Sequence, residues 1–337
     1  MKFARRCAAV VMILLAAVVA GAAAAEPLRI RLDWSTTPGQ FAPLIPTVPK
    51  YAPDIYKHYG KSYVVEPVRL QGGGANLTAL AANLVDISTT PPPSLVSGVT
   101  EAQLDLRVIG QQISSGVDGY LPTPFYVRDD ITRVEDLKGK IVAVNARGAN
   151  VEAAAILMLR KAGLVEGRDY QITEVRFPAM VAALESKRVD AAPMVPPFHL
   201  TAAKNKSLKV LFTVQEAFGP VETLMFVAKA DFVAKNRAAL VDFLEDNMRM
   251  RAWMTNPHTR PQAIRQLSDT TKVPVEDYEK WVYTTDDYYY HPHAMTDVAR
   301  LQSNIDKMKE AGMIPVTIDV ARYVDLSLVQ EAAGRLR

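Results

Sequence analysis

Cysteine is almost missing from this chain: of 337 residues only one, Cys7, is a cysteine. It falls in the leader described below, so the mature chain is expected to hold none. Disulfides, cysteine-ligated zinc, iron–sulfur clusters and thiol catalysis are thereby excluded. A surplus of charge is missing as well. Lys and Arg number 39 against 36 Asp and Glu, and losing Lys2, Arg5 and Arg6 with the leader leaves 36 of each. A neutral mature chain has no long-range pull on polyanions, which argues against nucleic acid or an anionic membrane as partner. Histidines number five, and none pairs in sequence with a convincing nucleophile or acid. Glycine is not in excess, so disorder and low-complexity linkers are not expected.

What is present begins with a positive start at Lys2, Arg5 and Arg6, followed by an apolar stretch from Ala8 to Gly21. Ala23 and Ala25 then offer a small-x-small cleavage site before Glu26. This is the pattern of an export signal cut near Ala25, and the apolar run is shorter than the roughly 18 residues of a membrane-spanning helix. Cys7 precedes the apolar stretch and is misplaced for lipid attachment. A soluble periplasmic protein is expected.

From Glu26 onward short β-rich runs alternate with helical ones. "LRIRLDW" (28–34), "YVVEPVRL" (63–70), "VDISTT" (85–90) and "LRVIGQQI" (106–113) read as strands, with a glycine turn and helix at "QGGGANLTALAANL" (71–84). A second set follows Gly116–Gly119: strands in "TPFYVRD", "IVAVNA", "YQITEVRF", "VDAAPMV" and "KVLFTV", with helices at "NVEAAAILMLRKAGL" and "PAMVAALESKR". "ETLMFVAK" (222–229) is one more strand, and helices are expected at 231–254, 260–268, 274–283, 295–311 and near 325–335. Such alternation implies α/β architecture with mainly parallel sheets. The expected division is a signal peptide at 1–25, lobe one from 26–116 and 223–337, and lobe two, inserted in it, from 117–222. The chain would cross near 116–122 and 216–223.

Polar loops fall at the C-terminal ends of these strands, where ligands of open α/β sheets lie. "DWSTTPGQF" (33–41) carries hydroxyls, an amide and two aromatics, and "STTPPPS" (88–94) brings Thr89, Thr90 and Ser94 before a helix start. "VNARGAN" (144–150) holds Asn145, Arg147, Gly148, Ala149 and Asn150. A nucleotide phosphate loop is excluded there, since the stretch has one glycine and no lysine. What remains is a helix N-terminus with free N–H groups and partial positive charge, or simply a cap and a solvated arginine. "DDYYYHPHAM" (286–295) gathers Asp286, Asp287, His291 and His293 and invites a metal reading; a packed surface loop is the preferred one, and no metal or cofactor is expected.

"VEDLKGKIVAVNARGANVEAAAILMLRKAGL" and "VRFPAMVAALESKRVDAAPMVPPF" resemble the substrate-binding proteins of ABC importers, in the branch that serves nitrate, sulfonates, taurine and thiamine-pyrimidine precursors. "GGGANLTALAANLVDISTTPPPS" and the C-terminal "YVDLSLVQEA" are similar to further segments of that family, so the likeness spans about residues 27 to 335. It implies the type II periplasmic-binding-protein fold, two lobes closing on a hinge. Carried over, the family's ligand loops fall on Trp34 to Gln40, on Thr89 and Thr90, and on Asn145 to Asn150. The turn Val195–Phe198 departs from the pattern: Val195 and Pro196 stand where many relatives have a tryptophan and an acid, while Phe198 keeps the aromatic place.

The function this implies is a receptor that captures a small organic, anionic (sulfonate- or carboxylate-like) solute and delivers it to a membrane permease and its ATPase. A monomer is expected. The ligand-binding set is Trp34, Thr36, Gln40, Phe41, Thr89, Thr90, Asn145, Arg147, Gly148, Ala149, Asn150 and Phe198, with Arg147 as charge partner. The pyrimidine synthases of the same superfamily, which carry a cysteine-rich motif, do not fit a cysteine-free mature chain. The alternatives are an exported enzyme or a sensory ligand-binding module on the same fold.

Overall fold

Alternating apolar positions in Leu28–Trp34 (β1) put Ile30 and Leu32 wholly inside. This strand pairs in parallel with Tyr63–Arg69 (β2) and with Ile87–Thr90 (β3). The computed structural model describes residues 26–70, 73–117 and 119–336; the expected leader lies outside the described residues, as do Gln71 and Gly72 of the glycine turn. Leu106–Ser115 (β4) and Val221–Lys229 (β10) complete a five-stranded sheet in the order β2-β1-β3-β10-β4. A second sheet is built from Pro124–Arg128 (β5), Lys140–Val144 (β6), Tyr170–Glu174 (β7), Ala191–Pro193 (β8) and Leu208–Thr213 (β9). Its order is β7-β6-β8-β5-β9.

The two sheets share one topology, and each contains one strand against the grain. β10 runs antiparallel to β3 and β4, and β5 runs antiparallel to β8 and β9. These are the strands that enter a lobe from the other one. Elsewhere strand follows helix within a lobe, and such crossovers keep neighbouring strands parallel. The chain leaves the first sheet after Ser115 and returns at Val221, so the second lobe is inserted in the first.

Apolar packing explains the rest. Ile30, Leu32, Phe226, Phe243 and Trp281 belong to a core between the first sheet and the C-terminal helices. A second cluster joins the lobes: Val108, Met225 and Val227 of the first sheet are continuous with Phe125, Val127 and Val142 of the second. Leu301, Ile305 and Met308 of the helix Val298–Glu310 belong to it too. Beside this seam, Lys307 Nζ donates to Phe218 O at 2.6 Å and Gln215 Nε2 to Gly116 O at 2.7 Å, which straps the crossings. Among the described residues no helix is long and apolar enough to cross a membrane.

Some local readings differ from the structure. The helix expected over 231–254 is broken at Asn236 into Ala230–Lys235 and Arg237–Thr255. The helix expected over 274–283 is only Val275–Tyr278, because the following turn is held elsewhere: the Tyr283 N–H donates to the buried Asp287 at 2.9 Å. Two short helices, Phe198–Lys204 and Val214–Phe218, were not expected. The second carries a reciprocal cap between Thr213 and Glu216, a T-x-x-E signature visible in the sequence.

Candidate functional site

The turn after β1 is organised by two buried side chains. Gln40 Oε1 accepts from the Ser35 N–H, from Ser35 Oγ at 3.0 Å and from the Thr36 N–H at 3.0 Å. Its Nε2 donates to Thr89 Oγ1 at 2.7 Å. That hydroxyl donates in turn to Asp33 Oδ1 at 2.6 Å, and the same carboxylate accepts from the Thr89 N–H at 2.7 Å and from Ser88 Oγ at 2.6 Å. Burial pushes the Asp33 carboxyl above its usual range, while the bonds from Ser88 and Thr89 pull the other way. Asp33 thus fixes the strand ends of β1 and β3, and Gln40 hangs the loop on them. From the helix Gly73–Ala81, Asn76 Nδ2 donates to Thr89 O at 3.1 Å.

In the second lobe the loop after β6 turns at Gly148, whose φ of 77° lies in the left-handed region that a side chain disfavours. The helix Asn150–Lys161 starts there. Its N-terminus is already answered by its own sequence: the Gly148 N–H donates to Glu152 Oε2 at 2.6 Å. A carboxylate in the first turn is where the helix dipole favours negative charge. Arg147 belongs to the same structural cluster. Its guanidinium meets Glu152 at 2.6 Å and Glu166 at 2.8 Å and donates to Ile172 O at 3.2 Å. The hydrogen bond to Glu166 is the largest cause holding it well above the usual arginine range; burial opposes it next, and the bond to Glu152 and the two carboxylate charges add to the rise.

Between the lobes lies a cavity of about 130 Å³, small beside the roughly 300–1,000 Å³ of drug-sized ligand pockets. Thr36, Gln40, Asn76 and Thr89 line it from the first lobe; Asn145, Ala149, Asn150 and Val195 line it from the second. Tyr288 and Phe177 add aromatic wall. Gly39 makes room for the tyrosine, since a Cβ there would sit 3.1 Å from Tyr288 Cε2. Among the described residues, none that lines it carries a charge. The cavity opens into a wider space of about 770 Å³ bordered by Trp34, Arg69, Arg176, Phe177 and Phe198. There Arg69 lies over the Trp34 ring, 5.2 Å from its centre.

Of the residues expected to bind, the structure brings Thr36, Gln40, Thr89, Asn145, Ala149 and Asn150 to one cavity, and Trp34 and Phe198 to its mouth. The other four are placed differently. Arg147 is paired with Glu152 and Glu166 and is not among the residues that line the cavity. Gly148 shapes the loop and spends its N–H on Glu152. Thr90 donates to Ser88 Oγ at 3.1 Å, and its residue is buried in the sheet end. Phe41 is fully buried in the first lobe, against Tyr290 and under the Arg251 guanidinium at 5.4 Å. Asn76, Phe177, Thr223 and Tyr288 were missed. Asn76 carried a signal as the last residue of the strand-end loop "QGGGAN" (71–76), readable as a ligand loop or a plain turn, and Phe177 as the end of a strand-like run.

The 286–293 loop is a packed one. Asp287 is wholly buried and accepts from the Tyr283 and Tyr288 N–H groups and from the Tyr290 hydroxyl. Among the described residues the group of three side chains able to converge on a cation is His58, Asp242 and Glu245. Arg335 already pairs with Asp242 at 2.8 Å and Arg249 with Glu245 at 2.7 Å. That cluster is an ion-pair network outside the cleft.

The architecture and the placement of the cavity define a class: two-lobed α/β proteins of the periplasmic-binding-protein fold. Solved structures of that fold align over nearly the whole chain. The nitrate-binding protein of Synechocystis PCC 6803 is 17% identical, with 93% of this chain and 90% of that one covered at a TM-score of 0.69. The alkanesulfonate-binding protein of Xanthomonas axonopodis pv. citri, bound to MOPS, is 16% identical, covers 90% and 100%, and has a TM-score of 0.66. The aliphatic sulphonate-binding protein of Escherichia coli is 21% identical, covers 89% and 92%, and scores 0.62. Among curated protein sequences none matches the chain. The sequence pattern of the NMT1-like family matches residues 37–268, more than half of the chain, and the protein belongs to that family.

Proposed function

We propose that the protein is a periplasmic solute-binding receptor of an ABC importer, which closes its lobes over a small solute and presents the closed form to a membrane permease and its ATPase. The observation that carries this reading is a cavity into which strand-end loops of both sheets converge. Ligand contacts drawn from both sides stabilise the closed arrangement over the open one. The structural neighbours bear the names of nitrate- and sulfonate-binding proteins, which supports the same reading. Lobe one is assigned to 26–116 and to the chain from β10 onward, so that its return falls at Val221 and not at 223, and lobe two to the residues between, with the hinge at the two crossings. The working unit is a monomer, exported after cleavage near Ala25.

The cavity is furnished for binding: among the described residues its polar lining consists of amides and hydroxyls. The same furnishing revises the solute. An anion held deep in the cleft would need a cation or free N–H donors, and Arg147 and the Gly148 N–H are both engaged by Glu152. Arg69 and Arg176 stand only at the mouth, where they would draw anionic groups toward the opening. Denaturing the purified protein and weighing what it releases tests the receptor reading. A stoichiometric small molecule, or a solute that raises the melting temperature in a saturable way, is expected. A protein that releases nothing and responds to no solute is not a receptor.

A further inference from the structure

Two arginines border the wider outer space, one from each lobe. Arg69 ends β2 opposite Trp34, the last pair of the β1–β2 ladder, and this register lets its guanidinium lie over the indole. Arg176 immediately precedes the helix Phe177–Glu185 of the second lobe. Both residues are exposed, and neither makes an ion pair or a side-chain hydrogen bond among the described residues. Arg147, by contrast, is held by two carboxylates. Among the described residues that border this space none is acidic. Ser35, Thr36, Asn145 and Phe177 border both the outer space and the inner cavity, so one solute can occupy the two together.

Two positive charges bordering one space, with no acid beside them, raise the free energy of the closed arrangement, and an oxyanion between the lobes lowers it. A guanidinium fork donates two bonds to such a group, and stacking on Trp34 leaves Arg69 less freedom to lose when it does. The inner cavity suits the opposite end of a solute. Its described lining carries no charge, and Ile113, Val151, Val195 and Leu224 offer apolar wall to an uncharged body. We propose that the solute is an amphipathic acid that enters body first, its uncharged part in the inner cavity and its carboxylate or sulfonate group in the outer space, with Arg69 and Arg176 as charge partners. Because the two arginines belong to different lobes, the anion offsets the repulsion that opposes closure, and solute charge is coupled to the closing of the cleft. This rests on the receptor reading of the cleft.

The test is calorimetric titration of the mature protein with phenylacetate, hexanoate and hexanesulfonate, each beside its uncharged amide or sulfonamide, and with acetate and nitrate as anions without a body. At least one amphipathic anion is expected to bind one-to-one, about tenfold or more tighter than its uncharged counterpart and than acetate or nitrate. Arg69→Gln and Arg176→Gln should each weaken that anion by about fivefold or more while leaving the uncharged counterpart within about twofold, and added salt should likewise weaken the anion alone. A merely structural arginine would weaken both solutes alike. Should either variant fail to fold, the comparison of charged with uncharged solutes on the unaltered protein decides alone. Equal affinity for charged and uncharged solutes, acetate or nitrate binding as tightly as the amphipathic anions, or an anion insensitive to both substitutions would overturn this inference and leave the receptor reading standing. Absence of binding by the whole series overturns it too, and the receptor reading is then decided by the solute released from the purified protein.

Discussion

Replacing Asp33 by alanine should loosen the first lobe's half of the site and the lobe with it. The carboxylate accepts three bonds, from Ser88 Oγ, the Thr89 N–H and Thr89 Oγ1, and is wholly buried. The hydroxyls can rotate to new acceptors; Ser88 Oγ already accepts from Thr90 Oγ1. The Thr89 N–H cannot. One orphaned buried N–H costs about 1–3 kcal/mol, and the two lost hydroxyl bonds add about 0.5–1.5 kcal/mol each. Against this stands the relief of desolvating a carboxylate that has no cationic partner among its bonds, which offsets part of the loss. The balance is a destabilisation of roughly 2–4 kcal/mol. Asp33→Asn, which keeps the shape and one acceptor, should fall between the two. Urea unfolding followed by circular dichroism reads the difference directly as a shift in midpoint at constant slope. Solute affinity should fall with it, because Gln40 and the 35–36 turn hang on Thr89. A change below about 0.5 kcal/mol, the range of ordinary surface substitutions, would refute the assignment of Asp33 as the anchor of the strand ends.

Three further outcomes follow from the same geometry. Arg147→Ala should cost no more than about 1 kcal/mol, since the guanidinium is half-exposed and screened and the buried Glu152 keeps its bond from the Gly148 N–H; solute affinity should stay within about twofold, and a tenfold loss by calorimetry would place Arg147 at the cavity. Glu222, buried against Arg300 at 2.9 Å and Ser114 at 3.0 Å, is pushed up to about 7 chiefly by burial. The folded chain therefore binds this proton more tightly than the unfolded one, and the stability it brings is present in full below the usual glutamate range and lost as pH rises to about 7. Its contribution is a slope of up to about 1.4 kcal/mol per pH unit across that window, which Glu222→Gln should remove from stability curves measured at several pH values. Gly148→Val should destabilise the loop by about 1–2 kcal/mol because φ there is left-handed; an unchanged melting temperature would count against the strain.

Much of the fold was legible in the order of the residues. The ten strands were marked by short β-rich runs, alternating in β1, and the inserted second lobe by the repetition of strand and helix, since both signals are local. The antiparallel β5 and β10 were not marked, because a strand's direction depends on which lobe the chain has just left. Trp281 and Tyr283 sat in a plausible helical stripe, and only the pull of Asp287 on the Tyr283 N–H shows why the helix stops early.

The site divides along the same line. Amino-acid order alone settled that polar loops of both lobes sit at strand ends, because the ends of strands are read from periodicity and the chemistry of a loop from its composition. Which polar atoms remain free is a different question, answered only by what each finds in space. Arg147 finds Glu152 and Glu166, Phe41 finds Tyr290 and Arg251, and Gln40 finds Thr89, so all are occupied. Asn76 and Asn150 each find a carbonyl for the nitrogen and nothing for the oxygen. Folding decides this because a hydrogen bond needs its partner within about 3 Å, and the chain brings such partners together from 13 residues away for Asn76 and 73 for Asn150.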